Sequence, residues 1–286
     1  VPNARGRALA VGRTEIIAVL VTEPLSELFS DPTYSEFLSG ITEELSESSY
    51  LPVILQASST HERNRAREHF ERRSFDAVID VSPYKGSELL EVLRELSVPT
   101  VLCGQLEGHP YRDVFSTVYS DDEEGGRFAA LAMKERGRKE IVAVLGPQDN
   151  PAVIDRLRGY RAVLGKDLPD ESVIYTGWNS GDGYQAMHQL LAREITFDGV
   201  LCGSDRIAAG VITALNEAGL SVPADVSVVG FDDHEIAARC TPALTTIRQP
   251  LREEGHMAAN IALDMIKGAE PTTTVMHMQL VKRDSL

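Results

Sequence analysis

The segment best equipped for chemistry is Asp-Arg-Leu-Arg-Gly-Tyr-Arg at residues 155–161. Arg156 and Arg158 lie two positions apart at the start of a predicted helix, so their side chains cannot point the same way. An arginine offers a planar fork of donors that matches vicinal hydroxyls or a carboxylate. We expect one of these arginines to face a ligand and the other to face solvent. The alternative is a solvated pair on a surface helix.

Polar residues also follow most of the predicted strands, at the point where each strand ends. In doubly wound α/β sheets, ligands bind beyond the carboxyl ends of the strands. These residues are mostly hydroxyls and carboxylates with one aromatic ring, which suits a hydroxyl-rich neutral ligand better than a phosphate. They are Thr22, Glu23, Ser82, Gly104, residues 146–155, Trp178, Ser204, Asp205, Asp232 and Asp233.

Other chemistry finds little support in the sequence. The glycines of residues 177–183 lack the G-x-G-x-x-G spacing of a dinucleotide loop, and there is no Walker A loop. The scattered histidines form no H-E-x-x-H pair, and no serine lies in a G-x-S-x-G elbow. The acidic run at residues 121–124 is typical of a helix N-terminus. We therefore predict no catalytic residue, metal or cofactor, and a protein that is not an enzyme.

The elements that position these residues alternate along the chain. Apolar strands alternating with helices indicate parallel sheets covered on both faces, a doubly wound α/β fold. Leu-Ser-Val-Pro occurs at 96–99 and again at 220–223, each time between a helix and a strand, which indicates a duplicated unit and two lobes. Strands are predicted at 16–21, 52–56, 77–81, 100–103, 141–145, 173–175, 199–202, 226–229 and near 276–281. Helices are predicted near 35–47, 62–73, 87–96, 123–136, 155–164, 183–193, 205–218 and 253–267.

Length and composition fit this organisation. The 286 residues suit two lobes, and 43% apolar with 25% charged residues is ordinary for a soluble protein. No apolar run approaches a membrane span, and the chain opens without the apolar region of a signal peptide. Cys103, Cys202 and Cys240 are too widely spaced for a disulfide framework or zinc site, which favours a reducing cytoplasm. We expect Cys103 and Cys202 to be buried thiols at strand ends.

The charge distribution is uneven. A net charge of −15 opposes binding to DNA phosphates, so the body of the chain should not bind DNA by itself. The first fourteen residues are the exception, because they carry Arg5, Arg7 and Arg13 and no acid precedes Glu15.

Several segments together resemble the lactose-repressor (LacI/GalR) family, and the resemblance covers essentially the whole chain. They are residues 155–161, Val-Pro-Ala-Asp-Val-Ser-Val-Val-Gly-Phe-Asp-Asp at 222–233, and Pro-Ala-Leu-Thr-Thr-Ile-Arg-Gln-Pro at 242–250. The opening at 2–14 and the ending at 280–285 fit as well. The resemblance implies a type I periplasmic-binding-protein fold with a ligand in the cleft between lobes joined by three crossing strands. It also implies a homodimer and a core that lacks its helix-turn-helix headpiece.

The family's organisation assigns residues 1–14 to a hinge-helix remnant. The N-terminal lobe is expected at 15–119 plus about 251–277, and the C-terminal lobe at 120–248 plus about 279–286. The resemblance places Leu9 as the wedge into the DNA minor groove, with Arg5 and Arg7 in the same hinge. Gly6 departs from the family's alanine-like residue and should weaken the hinge helix by about 0.5–1 kcal/mol.

The resemblance also implies the ligand residues. Arg156 matches the arginine that clamps ligand hydroxyls, Asp232 the acid facing it across the pocket, and Trp178 an aromatic against the ligand ring. Ser204 stands where an asparagine is usual, and Gln249 and Tyr34 match positions near the cleft. Gly104 replaces an aspartate of some sugar-binding members, which with Ser204 indicates a ligand other than lactose.

The predicted function is a DNA-binding transcription repressor whose effector, a sugar or sugar derivative, changes operator affinity. Such coupling requires an effector that binds two arrangements of the protein unequally. A purine-like effector is the less favoured ligand. The alternative functions are a solute-binding protein of a sugar transporter and an enzyme on the same fold.

Overall fold

The computed structural model describes residues 13–83, 88–104, 108, 110–193 and 195–286. The chain forms two compact units: unit 1 is Val1–Ser120 with Leu251–Met276, and unit 2 is Asp121–Pro250 with His277–Leu286. The predicted hinge residues Arg5, Arg7 and Leu9 lie outside the described residues.

Strands and helices alternate through both units. The strands are β1 (Ile16–Val21), β2 (Leu51–Gln56), β3 (Ala77–Asp80), β4 (Thr100–Cys103), β5 (Ser116–Ser120), β6 (Ile141–Leu145), β7 (Val173–Tyr175), β8 (Gly199–Cys202), β9 (Ser227–Val229), β10 (Thr246–Arg248), β11 (Thr273–Met276) and β12 (Gln279–Val281). The α-helices are α1 (Leu25–Ser30), α2 (Pro32–Leu45), α3 (Thr60–Glu71), α4 (Glu88–Glu95), α5 (Asp122–Glu135), α6 (Pro151–Leu164), α7 (Ser180–Ala192), α8 (Asp205–Glu217), α9 (Glu235–Arg239) and α10 (Leu251–Ile266). Short 3₁₀ turns cover Gly165–Asp167 and Asp170–Ser172.

Unit 1 is built on a six-stranded sheet in the order β11-β5-β4-β3-β1-β2, with every neighbouring pair parallel. Alternate residues of β1 enter different cores, because successive side chains of a strand point to opposite faces. Ile17 and Val19 pack with residues of α2 and α10, whereas Ala18 and Leu20 pack with residues of α3 and α4. The sheet is therefore covered by helices on both faces.

Unit 2 contains a four-stranded parallel sheet in the order β7-β6-β8-β9 and a separate antiparallel pair, β10-β12. Val142 and Val144 of β6 face a core formed with α7 and α8, while Ala143 and Leu145 face one formed with α5 and α6. Both units thus confirm the predicted fold class of parallel α/β sheets. None of the helices formed by the described residues is long and apolar enough to cross a membrane.

Several element boundaries differ from the sequence prediction. Helix α6 begins at Pro151 and not at 155, because the Asn150 side chain caps it by accepting the backbone N–H of Ala152 at 3.0 Å. The single strand predicted near 276–281 is two strands in different units, β11 and β12. They are separate because β11 pairs with β5 and β12 pairs with β10.

Candidate functional site

Arg156 occupies the buried side of α6 and is only 4% exposed, whereas the Arg158 side chain on the same helix is 53% exposed. The prediction that the two arginines point differently is confirmed. Two glycines bring α6 against α5, since a Cβ on Gly126 would lie 2.4 Å from the Arg156 carbonyl oxygen, and one on Gly159 would lie 2.2 Å from that of Glu123. This close approach places the beginning of α5 beside Arg156.

The guanidinium of Arg156 is held by groups from three directions. Its Nε donates to Asp122 Oδ1 at 2.7 Å, its Nη1 donates to the Gly203 carbonyl, and Nη1 lies 3.6 Å from Asp232 Oδ1. The guanidinium carbon sits 3.8 Å from the centroid of the Phe231 ring, a favourable cation–π position. These contacts fix the orientation of a buried cation, which is the state required of a preorganised binding group.

Asp232 lies in a backbone conformation that L-residues rarely adopt. Its φ is 107° and that of Asp233 is 62°, which for non-glycine residues costs on the order of 1–3 kcal/mol each and persists only where neighbouring contacts enforce it. The Asp232 N–H donates to Ile247 O at 2.7 Å, and Asp233 pairs with Arg248 at 2.7 Å and Arg283 at 2.5 Å. The strained turn is therefore firmly anchored.

Gln249 joins the same cluster by donating its Nε2 hydrogen to Asp232 Oδ1 at 2.6 Å. His234 follows in the turn, with Nδ1 3.7 Å from Asp232 Oδ2. The resemblance implies that Arg156 and Asp232 face each other across a pocket. In the structure, the two side chains are adjacent within unit 2, and Gln249 shares the carboxylate with Arg156.

The Asp205 carboxylate holds the turn at Asp232 in place through two hydrogen bonds. Its Oδ1 accepts the Thr246 hydroxyl at 2.5 Å and its Oδ2 accepts the His234 backbone N–H at 2.8 Å. Burial, with a smaller effect from the nearby Asp232 carboxylate, raises the pKa of Asp205 well above its usual range. Asp205 is therefore a positioning residue that ties the start of α8 to the Asp232 turn.

Ser204 and Trp178 also lie in unit 2. Ser204 is buried and caps α8, because its hydroxyl oxygen accepts the Ile207 N–H at 3.1 Å. Trp178 is half-buried, with its ring 5.9 Å from the Arg156 guanidinium carbon. The ring covers Gly146 so closely that a Cβ there would lie 2.5 Å from it. Arg156, Asp232, Gln249, Ser204 and Trp178 thus belong to one unit.

Tyr34 is the predicted ligand residue that lies apart from this group, because it belongs to α2 in unit 1. Burial, followed by the Glu23, Asp31 and Glu27 carboxylates, raises the pKa of Tyr34 above its usual range. Gly104 also belongs to unit 1, with a φ of 130° that favours glycine.

Sequence reasoning missed Asp122. Burial raises the pKa of this carboxyl to about 6, an effect that the adjacent Arg156 only partly opposes. The acidic run does begin a helix, as predicted, since Asp121 caps α5 by accepting the Glu124 N–H at 2.8 Å. The sequence did offer one signal, because four consecutive acids are more than a single helix cap needs. Which of these acids contacts Arg156 depends, however, on the glycine contacts between α5 and α6, and the sequence alone does not show them.

The described residues contain no cluster of three or more histidine, cysteine or acidic side chains that could hold a metal ion. Cys103 and Cys202 are buried at the ends of β4 and β8, as predicted. The arrangement around Arg156 is suited to binding: a fixed cation and carboxylates serve as donor and acceptors, with an aromatic ring beside them.

The chain is similar to several known proteins over nearly its whole length. Residues 130–286 match the family described as periplasmic binding protein-like domain. The transcriptional regulator CelR of Thermobifida fusca is 33% identical over 100% of this chain and 85% of its own length. The ribose operon repressor of Escherichia coli K12 is 30% identical over 98% of this chain and 83% of its own. A solved CelR–cellobiose complex has a TM-score of 0.91 at 32% identity, covering 99% of this chain and 89% of that chain.

The fold and these matches define the chain as the effector-binding core of a transcription regulator. It belongs to the LacI family, which confirms the resemblance. Because these relatives are transcription regulators, the prediction that the chain is not an enzyme is also confirmed, and the solute-transport alternative is not favoured.

Proposed function

We propose that this chain senses a neutral sugar through the Arg156 cluster of unit 2 and thereby changes the operator affinity of the full-length repressor. The observation that carries this proposal is the buried Arg156, fixed by Asp122 and close to Asp232, with the Trp178 ring beside it. Nη2 of Arg156 donates no hydrogen bond within the described part of the chain, which leaves its two N–H groups for ligand hydroxyls.

The sugar class is supported by the relatives. CelR has been solved with cellobiose, and the ribose operon repressor is named for a sugar operon. Aromatic rings bind the apolar faces of sugar rings, while carboxylates and arginine bind the hydroxyl edges. Among the predicted ligand residues, we assign contact with the sugar to Arg156, Asp232, Trp178, Gln249 and Tyr34. Ser204 acts mainly through the helix cap.

We further infer a homodimer. The edge strand β2 leaves Leu51, Val53 and Ile54 exposed, at 67%, 39% and 45%. An exposed apolar edge strand is a hazard for aggregation unless it is covered, and a second copy of this chain would cover it. A Val53→Lys variant should shift the protein toward monomer in sedimentation, whereas an unchanged molar mass would contradict an interface at β2.

DNA binding is assigned to the full-length protein and not to this acidic core. The basic start, with Arg5 and Arg7 and the wedge Leu9, would join the core to a DNA-binding headpiece and contact the operator. A regulator that binds operator DNA works in the bacterial cytoplasm, which is where we place this protein.

Calorimetry tests the effector proposal. Wild-type protein is titrated with cellobiose, ribose, other neutral sugars and a set of nucleobases, and the ligand found is then titrated into Arg156→Ala and Asp232→Ala. We expect a sugar to bind and both variants to lose most of the affinity. Binding of nucleobases alone would contradict the sugar class, and unchanged affinity in both variants would contradict the site.

A further inference from the structure

The end of β3 in unit 1 carries an acid for which the fold provides little compensation. Asp80 is fully buried, and its Oδ1 accepts the Ser82 N–H at 3.1 Å. Its Oδ2 is equally buried and has no hydrogen-bond partner among the described residues. Leaving a buried acceptor unsatisfied is destabilising, so a carboxylate here needs an explanation that stability does not supply.

The surroundings of Asp80 are polar and lie where such folds bind ligands. Thr22 follows β1 and contacts Ser82 after β3, with their hydroxyl oxygens 2.8 Å apart. Asp80 is close enough to Tyr34 and Cys103 to contribute to the raised pKa of each, after the larger effect of burial. Because β1, β3 and β4 are parallel, these groups share the carboxyl edge of the sheet, which is the ligand-binding edge of doubly wound folds.

Other acidic side chains of unit 1 lie near these groups. Glu23, Asp31 and Glu27 act on Tyr34 together with Asp80. Glu254, 4% exposed at the start of α10, accepts the Ser120 hydroxyl at 2.7 Å and acts on Cys103. Asp80 Oδ2 has no hydrogen-bond partner among the described residues, so an anionic group brought against this carboxylate would be repelled by it.

We infer that Asp80 is a specificity-determining residue of unit 1: its Oδ2 accepts a hydrogen bond from a hydroxyl or ammonium group of the effector, and its carboxylate disfavours effectors that bring a carboxylate or phosphate against it. The inference rests on the proposed sugar-sensing function and narrows its ligand class. Since Oδ2 is covered, the donor reaches it by a turn of the Asp80 side chain toward the strand edge. Burial also raises the pKa of Asp80 to about 7, so experiments at pH 8 keep it ionised.

A first experiment needs no ligand. Asp80→Asn preserves the shape and removes the charge, and its melting temperature is compared with wild type at pH 8. The matched control is Asp76→Asn, a half-buried aspartate of unit 1 whose two carboxylate oxygens accept the backbone N–H groups of Thr14 and Glu15. We expect Asp80→Asn to melt at or above the wild-type temperature and Asp76→Asn to melt below it, because an amide nitrogen cannot accept both bonds. A melting temperature of Asp80→Asn several degrees below wild type would show a structural carboxylate and overturn the inference.

A second experiment uses cellobiose, its 2-amino derivative and its uronic acid, which differ by one charged group. In calorimetry at pH 8 we expect the acid to bind at least about tenfold more weakly than the other two sugars. Asp80→Asn should reduce this discrimination at least about threefold, while Glu235→Gln, an exposed site of unit 2, should leave it unchanged. Equal binding of the acid, or unaltered discrimination in Asp80→Asn, would overturn the inference. Failure of every sugar would refute the proposed function, whereas sugar binding with unaltered discrimination in Asp80→Asn would refute this inference alone.

Discussion

Unit 2 and unit 1 both bury aspartates near the carboxyl edges of their sheets, but they treat them differently. In unit 2, Asp122 and Asp232 lie against the buried Arg156, and Gln249 donates to Asp232. In unit 1, Asp80 receives one backbone N–H. A compensated cluster is rigid before ligand arrives, whereas an uncompensated acid can gain its partner from the ligand. Under the proposed function, unit 2 would provide a preformed clamp, and under the further inference Asp80 of unit 1 would provide selectivity.

The largest loss of stability is expected when Arg156 of unit 2 loses the carboxylate that balances its buried charge. Asp122→Ala leaves Arg156 buried without its closest carboxylate, and breaking a buried pair from one side costs about 3–5 kcal/mol. Trp178, the only tryptophan of the chain, lies in unit 2, so denaturation followed by its fluorescence reports on this unit. The exposed pair Glu235–Arg239 supplies the control, because Glu235→Ala should cost at most about 0.5 kcal/mol. Equal effects of the two variants would contradict the claim that Asp122 compensates the buried charge of Arg156.

In unit 1, removing a buried charge is expected to raise the stability of the protein. The pKa of Asp80 is raised to about 7, so between pH 7 and the unfolded value near 4 the folded protein holds a proton that the unfolded chain lacks. Wild-type stability should therefore rise as pH falls through 7. Asp80→Asn should be more stable than wild type at pH 8, by at most about 4 kcal/mol, and this advantage should disappear toward pH 4. Calorimetric melting of both proteins across this range checks the result, and an advantage that does not change with pH would contradict it.

The glycine contact between α5 and α6 should matter next. Gly126→Ala places a Cβ against the backbone of Arg156, and such overpacking typically costs about 1–3 kcal/mol. Because the two helices must separate, Asp122 should move from Arg156 and effector affinity should fall as well. In unit 1, Gly255→Ala meets the backbone of Phe37 in the same way and is the matched control. Denaturation should show lost stability for both variants, and calorimetry should show the larger loss of effector affinity for Gly126→Ala. Equal losses of affinity would contradict a role for the approach of α5 to α6.

The smallest effect is expected at Ser204. Ser204→Ala removes the cap of α8 and should cost about 1 kcal/mol, whereas Ser204→Asn retains a capping side chain and should cost less. Urea denaturation followed by Trp178 fluorescence distinguishes the two. If Ser204→Ala retained full stability but lost the effector, Ser204 would be a ligand residue in its own right.

The sequence predicted the parallel sheets well because most strands are continuous apolar runs. It missed β5, whose residues Ser-Thr-Val-Tyr-Ser are rich in hydroxyls, although four of the five are buried within a fully paired sheet. It also missed β10, which is only three residues long and pairs with the distant β12. Both depend on contacts between segments remote in sequence, which local periodicity does not contain.

Residues of the candidate site that belong to a sequence motif could be predicted. Residues that reach the site only through the packing of helices could not. The opposite directions of Arg156 and Arg158 followed from helix geometry alone. Asp122 could not be chosen from its acidic run, because the choice depends on the approach of α5 to α6 at Gly126 and Gly159. Asp80 was hidden within a predicted apolar strand, since burial of one carboxyl does not interrupt the pattern around it.

The central claim is that the arginine fork of unit 2 binds the effector's hydroxyls. The most direct measurement is calorimetry of the sugar ligand with Arg156→Lys and Arg158→Lys, two variants on one helix that keep the positive charge and remove the fork. Lysine has three N–H donors on one nitrogen and cannot keep the bonds to Asp122 and Gly203 while offering two further N–H groups to the ligand. Arg156→Lys should therefore weaken binding at least about tenfold, while Arg158→Lys should match wild type. Equal affinities for wild type and Arg156→Lys would contradict the account.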